Sequence, residues 1–244
     1  MPALLEVRDL SIRFGGIAAL TDVSFEVAEG HISGLIGPNG AGKTTCFNCI
    51  TRLYRPSGGR VAFAGDDLLR CAPHQLADKR IARTFQNVAL FDRLTTLDNV
   101  LVGYDSCASS RAARSEAAAR RESLKALEYL GLLGIAGRPV HGLPFGTRKM
   151  VELARALAAR PRLLLLDEPA SGLTTGEVAE LADVVRGIAH DFSTTIVMVE
   201  HHMQLVMGIS DHVVVLASGR KIADGTPETV QRDQGVIEAY LGTA

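Results

Sequence analysis

The chain has 244 residues, 47% hydrophobic and 22% charged, a balance that suits one large globular domain with a substantial core and excludes a disordered chain. With 26 basic against 27 acidic residues its net charge is −1, so no nucleic-acid partner is expected. No run approaches the ~18 apolar residues of a membrane helix, and residues 1–6 lack the basic start and apolar stretch of a signal peptide, so the chain is expected to be soluble when isolated. Any membrane role then requires partners.

Taken in chain order, residues 5–10 and 23–27 alternate apolar and polar side chains and predict strands, with Glu29-Gly30 as a turn. Residues 32–36 predict a buried strand and residues 45–50 the start of a helix. Between them lies Gly37-Pro38-Asn39-Gly40-Ala41-Gly42-Lys43-Thr44, which fits the phosphate-loop pattern G-x-x-x-x-G-K-[ST] at every fixed position. Its glycines let the backbone curl so that successive N–H groups point at one anion, and the helix N-terminus adds partial positive charge. Lys43 is expected to reach the β- and γ-phosphates of a nucleotide, and the Thr44 hydroxyl to ligate Mg²⁺. Cys46 and Cys49 have the spacing of a redox pair but fall inside this helix, which favours small core residues. With Cys71 and Cys107 they show no zinc-type pairing with histidine, and free thiols in a reducing compartment are expected.

Pro56-Ser57-Gly58-Gly59 marks a turn, and residues 61–65 predict a short strand. Residues 111–120, rich in alanine with scattered charge, predict a helix that continues through Leu124, Leu127 and Leu130. A loop over residues 139–144 precedes an apolar-periodic helix over residues 147–159. Residues 162–167 predict a buried parallel strand ending in Asp167. A helix over residues 177–190 and a strand over residues 194–199 follow. Helices alternating with all-apolar strands imply an α/β fold: a parallel core sheet covered on both faces, beside an antiparallel sheet.

The strand over residues 162–167 carries Asp167 to the carboxyl edge of the sheet, where such folds bind ligands; there it is expected to hold Mg²⁺ through water. Glu168, one residue on, is the candidate base for an attacking water. His201 ends a core strand at the same edge and is the candidate to bond the γ-phosphate and orient Glu168. His202, directly after it, competes for that role.

In this order the motifs resemble those of the ATP-binding subunits of ABC transporters, over nearly the whole chain. Arg83-Thr84-Phe85-Gln86 matches the glutamine loop, Leu143-Pro144-Phe145-Gly146-Thr147 the signature motif, Ser171-Gly172-Leu173-Thr174 the loop after the Walker B acids, and His201 the switch histidine. The resemblance implies a P-loop NTPase fold of the ABC ATPase type in a single domain over residues 1–244. Residues 1–85 and 160–244 would form the nucleotide-binding core with an antiparallel β subdomain, and residues 86–159 a helical subdomain with the signature motif. ATP and Mg²⁺ are the implied cofactors. Phe14 would stack on adenine, and Gly37, Pro38, Asn39, Gly40, Ala41, Gly42, Lys43, Thr44, Thr45 and Gly146 would bind nucleotide. Thr44, Gln86 and Asp167 would serve the metal, and Glu168, His201, Gln86 and Lys43 catalysis.

Phe14-Gly15-Gly16, Arg83-Thr84-Phe85-Gln86, Glu200-His201-His202-Met203, residues 206–211 and the tail from Gly225-Thr226-Pro227 to residue 242 resemble the branched-chain amino acid importer type. That type implies a second ATPase subunit, expected to be a different chain, two transmembrane permease subunits and an external solute-binding protein. The implied place is the cytoplasmic face of the inner membrane, and the implied task is uptake of branched-chain amino acids or related small solutes. Residues 88–100 would lie near the surface that receives a permease helix. The alternatives are the ATPase of a lipid or lipopolysaccharide exporter and a soluble non-transport ATPase switch.

Two motifs depart from the family pattern. Where the signature usually reads Leu-Ser-Gly-Gly-Gln, Pro144 replaces the serine and Thr147 the glutamine. Proline has neither a side-chain donor nor an N–H to offer a γ-phosphate. Thr174 replaces an aspartate at the end of the following loop. Drift within a subfamily and an unequal pair of ATP sites are both open readings of these changes.

Overall fold

The computed structural model describes residues 3–106 and 115–241. The alternating segments at the start form a hairpin, β1 (Ala3–Phe14) and β2 (Ile17–Ala28). β3 (Ile32–Ile36), buried at every position, leads through the phosphate loop into α1 (Lys43–Ile50). β4 (Gly58–Phe63) and β5 (Asp66–Asp67) return to the hairpin and complete an antiparallel sheet of order β2-β1-β4-β5. β6 (Ile81–Arg83) precedes three helices, α2 (Thr96–Asp105), α3 (Glu116–Tyr129) and α4 (Phe145–Ala158). Then come β7 (Leu163–Asp167), α5 (Thr175–Asp191), β8 (Thr195–Val199) and α6 (Met203–Ile209). β9 (His212–Ala217), β10 (Arg220–Gly225), α7 (Pro227–Gln231) and α8 (Gln234–Leu241) end the described chain. The second sheet runs β10-β9-β3-β8-β7-β6, parallel throughout except for the β9–β10 hairpin.

Period-two alternation in the all-apolar strands divides the interior into two cores. Leu164 and Leu166 of β7 join Ile196 and Met198 of β8 and the helices α2 to α6 in one. Leu163 and Leu165 join Val197, Val199, Phe47 and Ile50 and the antiparallel sheet in the other. Each such leucine, withdrawn from water, contributes about 1.5–3 kcal/mol. The sheet is therefore held from both faces, and its carboxyl edge becomes a rigid platform.

Several boundaries differ from the sequence expectation. Gly58, read as part of a turn, already opens β4. The helix expected from residue 147 begins at Phe145 and so includes Gly146 in its first turn. The helix expected from residue 111 is described from Glu116, capped by the Ser115 hydroxyl; residues 107–114, with Cys107, lie outside the described residues. α2, α6 and the β9–β10 hairpin are additional to the expected elements. α2 packs directly on α4 because a Cβ on Gly103 would stand 2.0 Å from the Arg155 carbonyl oxygen. Cys46 and Cys49 are buried free thiols in α1, and burial pushes Cys49 up to about 11 and Cys46 higher still, which suits core packing rather than redox exchange. Among the described residues no helix is long and apolar enough to cross a membrane.

Candidate active site

The phosphate loop is shaped by positions that no larger residue fits. Gly37 and Gly42 adopt φ of 148° and 101°. A Cβ on Gly37 would stand 2.0 Å from the Leu216 carbonyl oxygen, and one on Gly42 2.8 Å from that of Ala19. Pro38 accepts from the Ala41 N–H at 3.1 Å, which closes the turn, and leaves Asn39 and Gly40 exposed at its tip. Lys43, the first residue of α1, is only 7% exposed and donates to the carbonyls of Gly37 at 2.7 Å and Pro38 at 3.0 Å. Burial lowers its pKa, and the nearby Glu168 carboxylate works in the opposite direction. Thr44 is exposed in the first turn of α1, and Thr45 half-buried beside it. Phe14, at the end of β1, is 46% exposed and meets Tyr54 edge to face at 5.1 Å, which leaves an aromatic surface open. Tyr240 of α8 reaches the same loop, where the Gly37 backbone hydrogen-bonds its hydroxyl.

Across the carboxyl edge stand the acids. Asp167 ends β7 and is 3% exposed. Its Oδ2 accepts from Arg83 Nη2 at 2.6 Å, while its Oδ1 is buried with no hydrogen-bond partner among the described residues. Glu168 takes a left-handed backbone, φ 48°, held by its N–H donating to the Val199 carbonyl at 2.9 Å. Its Oε2 accepts from Gln86 Nε2 at 2.7 Å, so the glutamine loop and the candidate base are already in contact. His201 Nδ1 lies 3.8 Å from the same carboxylate, outside hydrogen-bond range, with its side chain 52% exposed. His202 is exposed beside it, the ring centroids 5.8 Å apart.

Two supporting residues were given no role by the sequence: Glu200 lies in the run Glu200-His201-His202-Met203 without a task of its own, and Lys149 lies in no motif. Glu200, fully buried, accepts from the Ala170 N–H at 2.7 Å and from the N–H groups of His201 and His202 at 3.0 and 3.1 Å. It ties the loop after β7 to the loop after β8. Lys149 of α4 donates to the carbonyls of Glu168 and Pro169, both at 3.0 Å. Burial lowers its pKa, opposed by Glu200, Glu152 and Glu168. Their only sequence signal was a charged residue at the end of an apolar strand or on the inner face of a periodic helix. The α4 N-terminus also meets the first turn of α5 and the loop before it: a Cβ on Gly146 would stand 2.3 Å from Glu177 Oε1, and one on Gly172 2.8 Å from the Phe145 ring.

A basic, glycine-shaped loop thus faces two adjacent carboxylates, one of which keeps an unsatisfied oxygen. Such a buried acceptor is costly unless a cation or its water shell supplies a partner. A family model described as "ABC transporter" matches residues 20–171, well over half of the chain. The chain belongs to the ABC transporter family. As an ATP-binding cassette it is an ATPase module that binds ATP. A second model, "Branched-chain amino acid ATP-binding cassette transporter", matches residues 220–244, the segment that contains α7 and α8. The chain is 40% identical to the high-affinity branched-chain amino acid transport ATP-binding protein BraF of Pseudomonas aeruginosa, over 99% of this chain and 98% of the relative. It is 41% identical to the protein of the same description, LivG, of Escherichia coli, with the same coverage. Among solved structures, the ADP conformation of the ABC transporter cassette MJ1267 superposes with a TM-score of 0.89 at 30% identity, covering all of both chains. The two sheets and the helices between them are therefore the P-loop NTPase fold of the ABC type.

Proposed function

We propose that this cassette hydrolyses ATP to power uptake of branched-chain amino acids or closely related small solutes. The observation that carries this is the 40–42% identity to BraF and LivG along essentially the whole chain, together with the importer-type C-terminal segment. On this reading the chain acts at the cytoplasmic face of the inner membrane with two permease subunits, a second, different ATPase subunit and an external solute-binding protein. A groove of about 400 Å³, lined by Phe85, Ala89, Phe91, Val102 and Arg155, lies against the segment expected to receive a permease helix. Phe85, Phe91 and Val102 are 41%, 52% and 39% exposed there, a cluster of large apolar side chains of the kind that marks an interaction surface.

The phosphate loop binds the triphosphate, Lys43 exchanging its carbonyl partners for phosphate oxygens, and Phe14 stacks on the base. Thr44, Gln86 and Asp167 form a sparse set of hard oxygen donors that suits Mg²⁺, an ion that keeps water and phosphate ligands. Bound there, Mg²⁺ would neutralise charge developing on the phosphates. Glu168 takes the proton of the attacking water, Gln86 and His201 orient that water and the γ-phosphate, and Glu200 and Lys149 hold the backbone beneath them. The signature end of α4 closes the ATP site of the partner ATPase, so ATP draws the two subunits together and hydrolysis releases them. The two sites are unequal because Pro144 cannot donate where a serine would.

The test is reconstitution of the four membrane-associated subunits in vesicles with the solute-binding protein. MgATP-dependent transport of labelled leucine, abolished by Lys43→Ala, is the expected outcome. ATP turnover without movement of leucine, isoleucine or valine would overturn the solute assignment.

A further inference from the structure

Arg83 is a buried charge that the catalytic scheme leaves unused. Its side chain is 7% exposed and Asp167's is 3%. The guanidinium joins three elements: Nη2 donates to Asp167 Oδ2 at the end of β7, and Nη1 donates to Asn48 Oδ1 and Thr51 Oγ1 at the end of α1, both at 2.8 Å. Phe47 and Phe85 cover it, their ring centroids 5.7 and 5.1 Å from Cζ. An arginine facing a carboxylate usually engages both oxygens through a two-pronged fork. Here a single prong is used, and Asp167 Oδ1 is left buried and unpaired. Stability alone is a weak reason for such a pair, since a buried ion pair is often replaceable by apolar residues without loss.

We propose that Arg83 is a positioning residue for the metal site: it fixes one oxygen of Asp167 so that the other is held free for Mg²⁺ or its water shell. The proposal rests on the reading that Asp167 serves the metal. The arrangement resembles the outer-shell contacts that orient carboxylate ligands elsewhere, where loss of the partner weakens metal binding about tenfold to a hundredfold. Asn48 belongs to the helix that starts at Lys43 and Thr44, and Thr51 is the residue that ends it, so Arg83 also fixes the acid relative to the phosphate loop. A lysine at this position would carry the charge but, with no planar fork, would not hold Asp167, Asn48 and Thr51 in one geometry.

The experiment is a Mg²⁺ titration of fluorescent ATP-analogue binding, with a parallel measurement in excess EDTA. Wild type, Arg83→Met, Arg83→Lys and Asp167→Asn are compared, with circular dichroism as the check of folding. Arg83→Met is expected to raise the Mg²⁺ midpoint about tenfold while metal-free affinity stays within about twofold of wild type. Arg83→Lys is expected to recover only part of that shift. If Arg83→Met fails to fold, Arg83→Lys decides, and a midpoint equal to wild type overturns the proposal. A shift in Asp167→Asn without one in folded Arg83→Met overturns the proposal alone. No shift in Asp167→Asn removes the metal reading of Asp167 and the proposal with it.

Discussion

Glu168 occupies a left-handed backbone conformation that costs a non-glycine residue about 1–3 kcal/mol, and the strain sits where the chemistry is expected. Val199 and Lys149 hold that backbone, and Gln86 holds the carboxylate. Glu168→Gln keeps the size and the polar contact but removes the base. It is expected to bind ATP as wild type does and to lose about a hundredfold or more in phosphate release, read by a steady-state assay of the assembled complex. Near-normal turnover would remove Glu168 from that role. Lys43 makes a pH prediction. Its pKa is lowered in the fold by burial, so folding penalises the charged form. The penalty is present in full below the lowered folded-state value and disappears as pH rises from there toward the ordinary lysine value, so stability climbs with pH over that window. Lys43→Met escapes the penalty. The melting temperature of the ligand-free variant relative to wild type is therefore expected to fall as pH rises toward the ordinary lysine value, as followed by calorimetry. A flat or rising difference would contradict the assignment. Lys43, Asp167 and Glu168 were legible because their chemistry demands fixed local spacing. Arg83 and Glu200 lay in motif runs and Lys149 in none, but the contacts of all three were not legible, because each acts on residues brought near by the sheet edge rather than by sequence.

The elements that could be read from the sequence were those whose burial leaves a period. β7 and β8 are apolar at nearly every position, and α4 and α5 carry a clear inner face. α2 escaped notice because its inner face includes Asn99 and Gly103, whose reasons lie in an N–H from Phe91 and in close contact with α4. The departures from the family pattern also gain a local account. Thr174 is the N-cap of α5 and forms a capping box with Glu177, its N–H and hydroxyl both 2.8 Å from Glu177 Oε2. The threonine therefore serves its own helix. Pro144 stands at the N-cap of α4 and provides no side-chain cap. Pro144→Ser should then have two separable effects. The added cap raises the stability of the isolated chain by about 1 kcal/mol, visible as a higher melting temperature. In the assembled complex the new hydroxyl raises γ-phosphate affinity at the partner's site about tenfold, since a hydrogen bond to a charged group is worth about 1.5–3 kcal/mol. A higher melting temperature with unchanged affinity and turnover would leave only the cap and remove the idea of unequal sites.

At the scale of the whole molecule, the proposed function makes the site one half of a pair. The phosphate loop, Asp167 and Glu168 lie at the carboxyl edge of the parallel sheet, whereas the α4 N-terminus is packed against the first turn of α5 and the loop that leads into it through Gly146 and Gly172. A signature end positioned by its own chain's following loop is suited to meet a nucleotide on another chain. Trapping two nucleotides between two such chains needs both signature ends to be competent, and on the proposed function Pro144 would weaken this one. Two copies of this chain would therefore form two weakened sites, whereas pairing with a different ATPase leaves at least one site with a full set of donors. Glu168→Gln, which is expected to hold ATP without consuming it, isolates that choice. Light scattering of the purified variant is expected to show a monomer with and without MgATP, and a doubled mass only when the second ATPase subunit is added with nucleotide. A clean ATP-dependent doubling of this chain alone would mean that Leu143 to Thr147 closes a site without the serine, and the obligate different partner would fall.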